Sequence, residues 1–145
     1  HPACVWSDLA PGAEPEGPVD ALVYDDVLGE LERPLAVLHR DLAHLGVGGV
    51  VLASLPNPQH LAVIEGLLRG RPEPIRLFTL DHALALLGRA GLKRFEVASC
   101  VRRTQNDAPL LGALAPALEA AGIARDAFAT RAAAHRFVIR ATFGT

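Results

Sequence analysis

The chain has 145 residues, of which 50% are hydrophobic and 21% charged, enough for one compact domain with a sizeable apolar core. A net charge of −2 and a pI near 6.3 lack the concentrated positive charge that a nucleic-acid backbone or an anionic membrane demands of a partner. Two cysteines, Cys4 and Cys100, make neither a disulfide framework nor a zinc site, and no apolar run reaches the roughly 18 to 20 residues of a membrane span, so a soluble cytoplasmic protein is expected.

In chain order, Ala3-Cys4-Val5-Trp6-Ser7-Asp8 is a short apolar run ending in a carboxylate, followed by Pro11, Gly12, Pro15, Gly17 and Pro18. That predicts a strand with Trp6 in the core, and then a loop. The run from Val19 to Tyr24, stopped by Asp25 and Asp26, predicts a strand buried on both faces. Pro34 opens a helix in which Leu35, Leu38, Leu42 and Leu45 recur at helical spacing, and Gly46, Gly48 and Gly49 close it. Val50 to Leu55 is a second buried strand, ended by Pro56-Asn57-Pro58, whose prolines cannot donate to a ladder. Leu61 to Leu68 gives a short helix, and Leu80 to Ala90 another, with Thr79 as N-cap and Gly91 just past its end. Phe95 to Val101 is a strand, Leu110 to Ala121 and Arg125 to Ala134 are helical, and Arg136 to Thr142 is a terminal strand of loose polar-apolar alternation. Strands alternating with helices at these lengths predict one α/β domain over residues 1–145, with helices on both faces of the sheet.

Little of this carries overt chemistry. His39 and His44 are five apart on a helix, with no acidic partner to complete a metal site. Ser7, Ser54, Ser99 and Cys100 have no nucleophile-elbow sequence around them and read as strand residues. Arg102 and Arg103, with Lys93 and Arg94, form a small basic cluster able to hold an acidic substrate group.

The segment from Asp20 to Gly91 is more specific. Val19-Asp20-Ala21-Leu22-Val23-Tyr24-Asp25-Asp26-Val27-Leu28-Gly29-Glu30-Leu31, then Arg33-Pro34, Gly48-Gly49-Val50 and Leu55-Pro56-Asn57, follow one another in the order and spacing of a known pattern. Leu67-Leu68-Arg69-Gly70-Arg71, Arg76-Leu77-Phe78-Thr79 and Arg89-Ala90-Gly91-Leu92 continue it. The chain thus resembles the C-terminal half of a class I S-adenosylmethionine-dependent methyltransferase of the small-molecule type (methyltransferase 11/23-like), over about half its length as motif and nearly all of it as element order.

The resemblance implies a Rossmann-like, three-layer α/β/α fold lacking the first two strands, with sheet order 3-2-1-4-5-7-6 and the seventh strand antiparallel. It implies cofactor-binding roles for Asp8, whose carboxylate would accept from the adenine amino group, and for Leu9, Asp25 and Asp26. Asn57, His60 and Arg76 would be substrate-binding, while no catalytic residue is assigned. The glycine-rich turn that lets the backbone approach the methionine moiety, and the acid that binds the ribose hydroxyls, have no counterpart in the chain. Gly29-Glu30 stands where the family often has a histidine, and Pro74-Ile75-Arg76 is a shortened form of a later segment. With no methionine and His1 at its start, the chain is expected to be a fragment or a processed product, and to bind S-adenosylmethionine only when the other half is supplied. The alternative is a catalytically inactive binding or scaffold module of the same fold. A missing half leaves the Ala21 to Tyr24 strand as an open edge, which Val5 to Asp8 or a second copy of the chain, as a homodimer, is expected to cover.

Overall fold

A computed structural model describes residues 17–71 and 76–144. The expected first strand, with Cys4, Val5, Trp6, Asp8 and Leu9, and the Pro74-Ile75 step lie outside the described residues. The elements run β1 (Val19–Asp25), α1 (Pro34–Leu42), β2 (Leu45–Pro56), α2 (Leu61–Leu68), α3 (Leu80–Arg89), β3 (Arg94–Val101), α4 (Asp107–Ala120), α5 (Arg125–Ala133) and β4 (Ala134–Thr142). The strands form one sheet ordered β1-β2-β4-β3. β1 and β2 are parallel, and β4 lies antiparallel to both β2 and β3. This is the 4-5-7-6 portion of the expected order, with the last strand in sequence reversed and placed one position in from the edge.

One face of the sheet carries the core. Leu22 and Tyr24 of β1, Val51, Ala53 and Leu55 of β2, and Phe137, Ile139 and Ala141 of β4 pack with Leu38 and Leu42 of α1 and Ala83, Leu86 and Leu87 of α3. The opposite face of β1 is open: Ala21 is exposed, and Val23 is 67% exposed. The expectation of burial on both faces is therefore corrected, because α1 and α3 both serve the Leu22 and Tyr24 side. The outer edge of β1 has no partner strand among the described residues.

Two boundaries also move. Helix α1 stops at Leu42, and Leu45, expected inside it, opens β2 instead. The glycines expected to end the helix lie within the strand, whose register jumps from Val19↔Leu45 to Ala21↔Val50. Gly48, at φ +77°, takes up that bulge, and a Cβ at Gly49 would lie 2.6 Å from Leu45 Cδ1. In β4, buried Phe137, Ile139 and Ala141 alternate with Arg136, Val138 and Arg140, a stricter period of two than the sequence suggested. The start of α3 is as expected: Thr79 Oγ1 accepts from the His82 N–H at 3.3 Å, His82 Nδ1 accepts from the Thr79 N–H at 3.5 Å, and Gly91 follows at φ +102°.

β1 is tied to α1 by a buried polar contact. The Tyr24 hydroxyl donates to Asp41 Oδ2 at 2.9 Å, and Arg40 Nε donates to Asp41 Oδ1 at 2.8 Å. Asp41 is only 1% exposed, so both carboxylate oxygens depend on these partners. Burial first, then the negative charge of Asp41 and its hydrogen bond, raise the Tyr24 hydroxyl well above its ordinary pKa of 10.0, while Arg40 works the other way.

Tyr24 is the single tyrosine of the chain, so its ionisation can be read directly as tyrosinate absorbance. Its folded pKa is raised, so the stabilisation it brings is complete below the unfolded value and is lost as pH climbs. Above about pH 10 the unfolded chain gives up the proton and the folded one does not, and stability is expected to fall by about 1.4 kcal/mol per pH unit. Tyrosinate should appear only with unfolding, and Tyr24→Phe should abolish this slope while costing about 1–3 kcal/mol at neutral pH in urea denaturation.

Candidate active site at the carboxyl ends of β1 and β2

In an open α/β sheet, ligands gather outside the carboxyl ends of the parallel strands, where backbone N–H groups and loops are free to meet them. Here β1 ends at Asp25, and the chain turns through Asp26 at φ +56°, a left-handed conformation that aspartate tolerates better than most residues. Parallel pairing sets Asp25 beside Ser54 of β2. The Asp26 N–H donates to the Ser54 carbonyl at 3.2 Å and reaches Ser54 Oγ at 3.0 Å. The same hydroxyl faces Asp25 Oδ1 at 2.5 Å and Asp26 Oδ1 at 2.8 Å. A hydroxyl has one proton to give, so the two carboxylates compete for it.

Arg136, near the start of β4, donates through Nη2 to Asp26 Oδ2. It is the cation that balances this turn, and with side chains 40% and 30% exposed the pair keeps contact with water. Glu30 and Arg76 pair at 3.1 Å, each 60% exposed. Between these groups lies a cleft with about 270 Å³ of empty space that runs out into solvent, walled by Asp26, Gly29, Glu30, Ser54, Arg76 and Phe78. Gly29 admits the Phe78 side chain: a Cβ there would stand 3.0 Å from Phe78 Cβ. One wall is therefore aromatic, Leu55 and Pro56 add further apolar surface, and the remaining groups are hydrogen-bond acceptors and the Arg76 guanidinium.

Of the residues singled out from sequence, Asp26 and Arg76 line the cleft, and Asp25 joins it through Ser54. Asn57 and His60 sit at the same end of the sheet but do not line the cleft, and are only 3% and 6% exposed. Asn57 Nδ2 donates to the carbonyls of Arg131 and Ala134 at 2.8 and 2.7 Å, and its Oδ1 accepts from the Gln59 N–H at 3.0 Å. His60 Nε2 lies 3.0 Å from the Arg102 carbonyl, which can only accept, so that nitrogen carries a proton. Asp8 and Leu9 lie outside the described residues. Sequence reasoning missed Ser54, Phe78 and Arg136. Ser54 reads in the sequence as a strand residue, yet its place opposite Asp25 follows from pairing the two apolar runs in parallel. Arg136 offered no such signal, since its approach to Asp26 depends on β4 entering the sheet next to β2.

Ser54→Ala removes the hydroxyl that serves two carboxylates and an N–H, and is expected to cost about 1–2 kcal/mol in denaturant unfolding. Asp26→Ala, which must hold φ +56° without a side chain suited to it, should cost about 1–2 kcal/mol, and Asp26→Asn distinctly less. Equal losses for the Ala and Asn variants would remove the backbone argument.

No protein-family model matches the chain, and no curated protein matches it in sequence. Solved structures do match in shape. A SAM-dependent methyltransferase from Thermotoga maritima superposes with a TM-score of 0.54 at 12% identity, over 86% of this chain and 56% of that one. A SAM-dependent methyltransferase from Archaeoglobus fulgidus gives 0.50 at 11% identity, over 86% and 59%. The 4+2 cyclase SpnF gives 0.51 at 17% identity, over 92% and 52%. The chain thus spans between 52% and 59% of the length of these structures. Two of the three are methyltransferases and the third is a cyclase, so the common element is architecture: this chain has the Rossmann-like α/β fold of the SAM-dependent methyltransferases.

Proposed function

We propose that the chain is the C-terminal part of an S-adenosylmethionine-dependent methyltransferase acting on a small molecule. The observation that carries this reading is the cleft at the carboxyl ends of β1 and β2, with acidic groups on a partly apolar lining, in a sheet ordered β1-β2-β4-β3. S-adenosylmethionine supplies a methyl group on a sulfonium, and its adenine amino, ribose hydroxyl and ammonium groups are donors. Acceptors suit them, and Asp25 and Asp26 are ionisable acceptors at the strand end. With a cavity volume of only about 20 Å³, the cleft is far smaller than the roughly 300–1,000 Å³ of small-molecule sites, which fits one wall of a site completed by an N-terminal part bearing the glycine-rich turn.

In this reading Asp8, Leu9, Asp25 and Asp26 face the cofactor, with Arg136 fixing the Asp26 carboxylate. Arg76 and Phe78 face the methyl acceptor, and Asn57 and His60 act on the substrate side by holding the backbone behind it. Catalysis rests on alignment of acceptor and methyl donor, which lowers the barrier without a general base. A second reading is a catalytically inactive binding or scaffold module. The pairing of Glu30 with Arg76 and of Asp26 with Arg136 favours it, because charges that satisfy one another need no ligand.

Calorimetry with S-adenosylhomocysteine separates the two, performed on the 145-residue chain and on a chain extended upstream of His1. Micromolar binding by the extended chain, weakened about tenfold or more by Asp25→Ala, is the expected result. No binding by either chain would leave the scaffold reading standing.

A further inference from the structure

β3 and β4 are neighbours in the sheet, yet the chain between them does not turn directly. It leaves Val101, runs through α4 and α5, and re-enters at Ala134, which pairs with Val101. Both stems lie at the same end of the sheet as the cleft, because β4 begins where β1, β2 and β3 finish. The excursion from Arg102 to Ala133 adds little to the core. Its buried side chains are Leu118, Ala132 and Ala133, and no residue of α4 or α5 belongs to the main core cluster. Within α4, Pro116 has no N–H to donate and Gly112 weakens the turn before it, so this helix is poorly supported by its own backbone. α4 packs mainly on α2 and α5.

The stems, by contrast, are pinned. His60 Nε2 donates to the carbonyl of Arg102 at the entry. Asn57 spends both amide hydrogens at the exit, on the carbonyls of Arg131 and Ala134. The Arg102 N–H also donates to the Ala133 carbonyl at 3.0 Å, which closes the base of the excursion on itself. The β2–α2 connection thus holds both ends of a segment that contributes few apolar contacts, an arrangement in which a segment detaches at its latch before the core unfolds.

We propose that Arg102 to Ala133 is a flap that opens as one unit from the carboxyl end of the sheet, with Asn57 and His60 as its latch. The reading does not depend on methyl transfer. The flap's exit stem leads within three residues to Arg136, which stays paired in β4 and holds Asp26 of the cleft wall, so the flap opens beside the cleft.

Native-state hydrogen exchange on the 145-residue chain tests this. The slowest amides of α4 and α5 are expected to share one opening equilibrium and to exchange about 100-fold or more faster than those of Val51, Ala53 and Ile139. Asn57→Ala should speed α4 and α5 by a further factor of about ten while leaving β1, α1 and α3 unchanged. Exchange of α4 and α5 at the rate of β2 and β4 would overturn the proposal, as would an Asn57→Ala variant that speeds all elements alike. The wild-type comparison decides by itself whether the flap opens independently, so the test stands even when Asn57→Ala does not fold, and His60→Gln then serves as the second latch variant.

Discussion

Antiparallel insertion of β4 between β2 and β3 pairs both of its backbone edges, and nine residues thereby join parts of the molecule that are far apart in sequence. On one face the strand sends Phe137, Ile139 and Ala141 into the core against α1 and α3. On the other it brings Arg136 to Asp26, a residue 110 positions earlier, and so holds the turn that closes β1. Among the described residues β3 pairs with β4 alone, so without β4 it has no sheet to join. Core packing and the geometry of the cleft are two consequences of where this one strand lies.

The carboxylates of the fold divide by exposure. Asp41 is 1% exposed and wholly engaged by Tyr24 and Arg40, so its charge belongs to the structure and its loss would be felt as instability. Glu30 and Asp26 remain 60% and 30% exposed in their ion pairs. Pairs of that kind contribute little to stability, typically about 0–1 kcal/mol, and exchange partners easily. A ligand arriving at the cleft therefore meets charges that are already in place and can be redirected at small cost.

Much of the architecture is legible in the chain because its signals are redundant. The Leu61 to Leu68 helix, the Thr79 cap and Gly91 each agree with the apolar pattern around them. The departures come where one local signal admits two outcomes. Leu45 continues a helical leucine series and also begins a strand, and the strand wins because Gly48 and Gly49 permit a bulge that lets the run from Leu45 pair with β1. The apolar run of β1 promises burial on both faces, but burial depends on which helices arrive, and among the described residues Val23 meets none that covers it. The candidate site is legible to the same extent. Asp25 and Asp26 stand out as a strand-ending pair, whereas Arg136 and Phe78 reach them through contacts of long sequence separation that no local pattern encodes.

The pairing of Val101 with Ala134 has a consequence for how such a fold can diversify. Two antiparallel strand ends lying side by side can be joined by a short turn or by any longer segment whose ends meet, and lengthening a loop costs little extra closure entropy. The sheet therefore places almost no demand on what lies between these residues. Descendants of one ancestral chain can exchange, extend or delete this stretch while Ile139 and Val51 stay in place, and the surface at the carboxyl end of the sheet is then free to change faster than the scaffold beneath it.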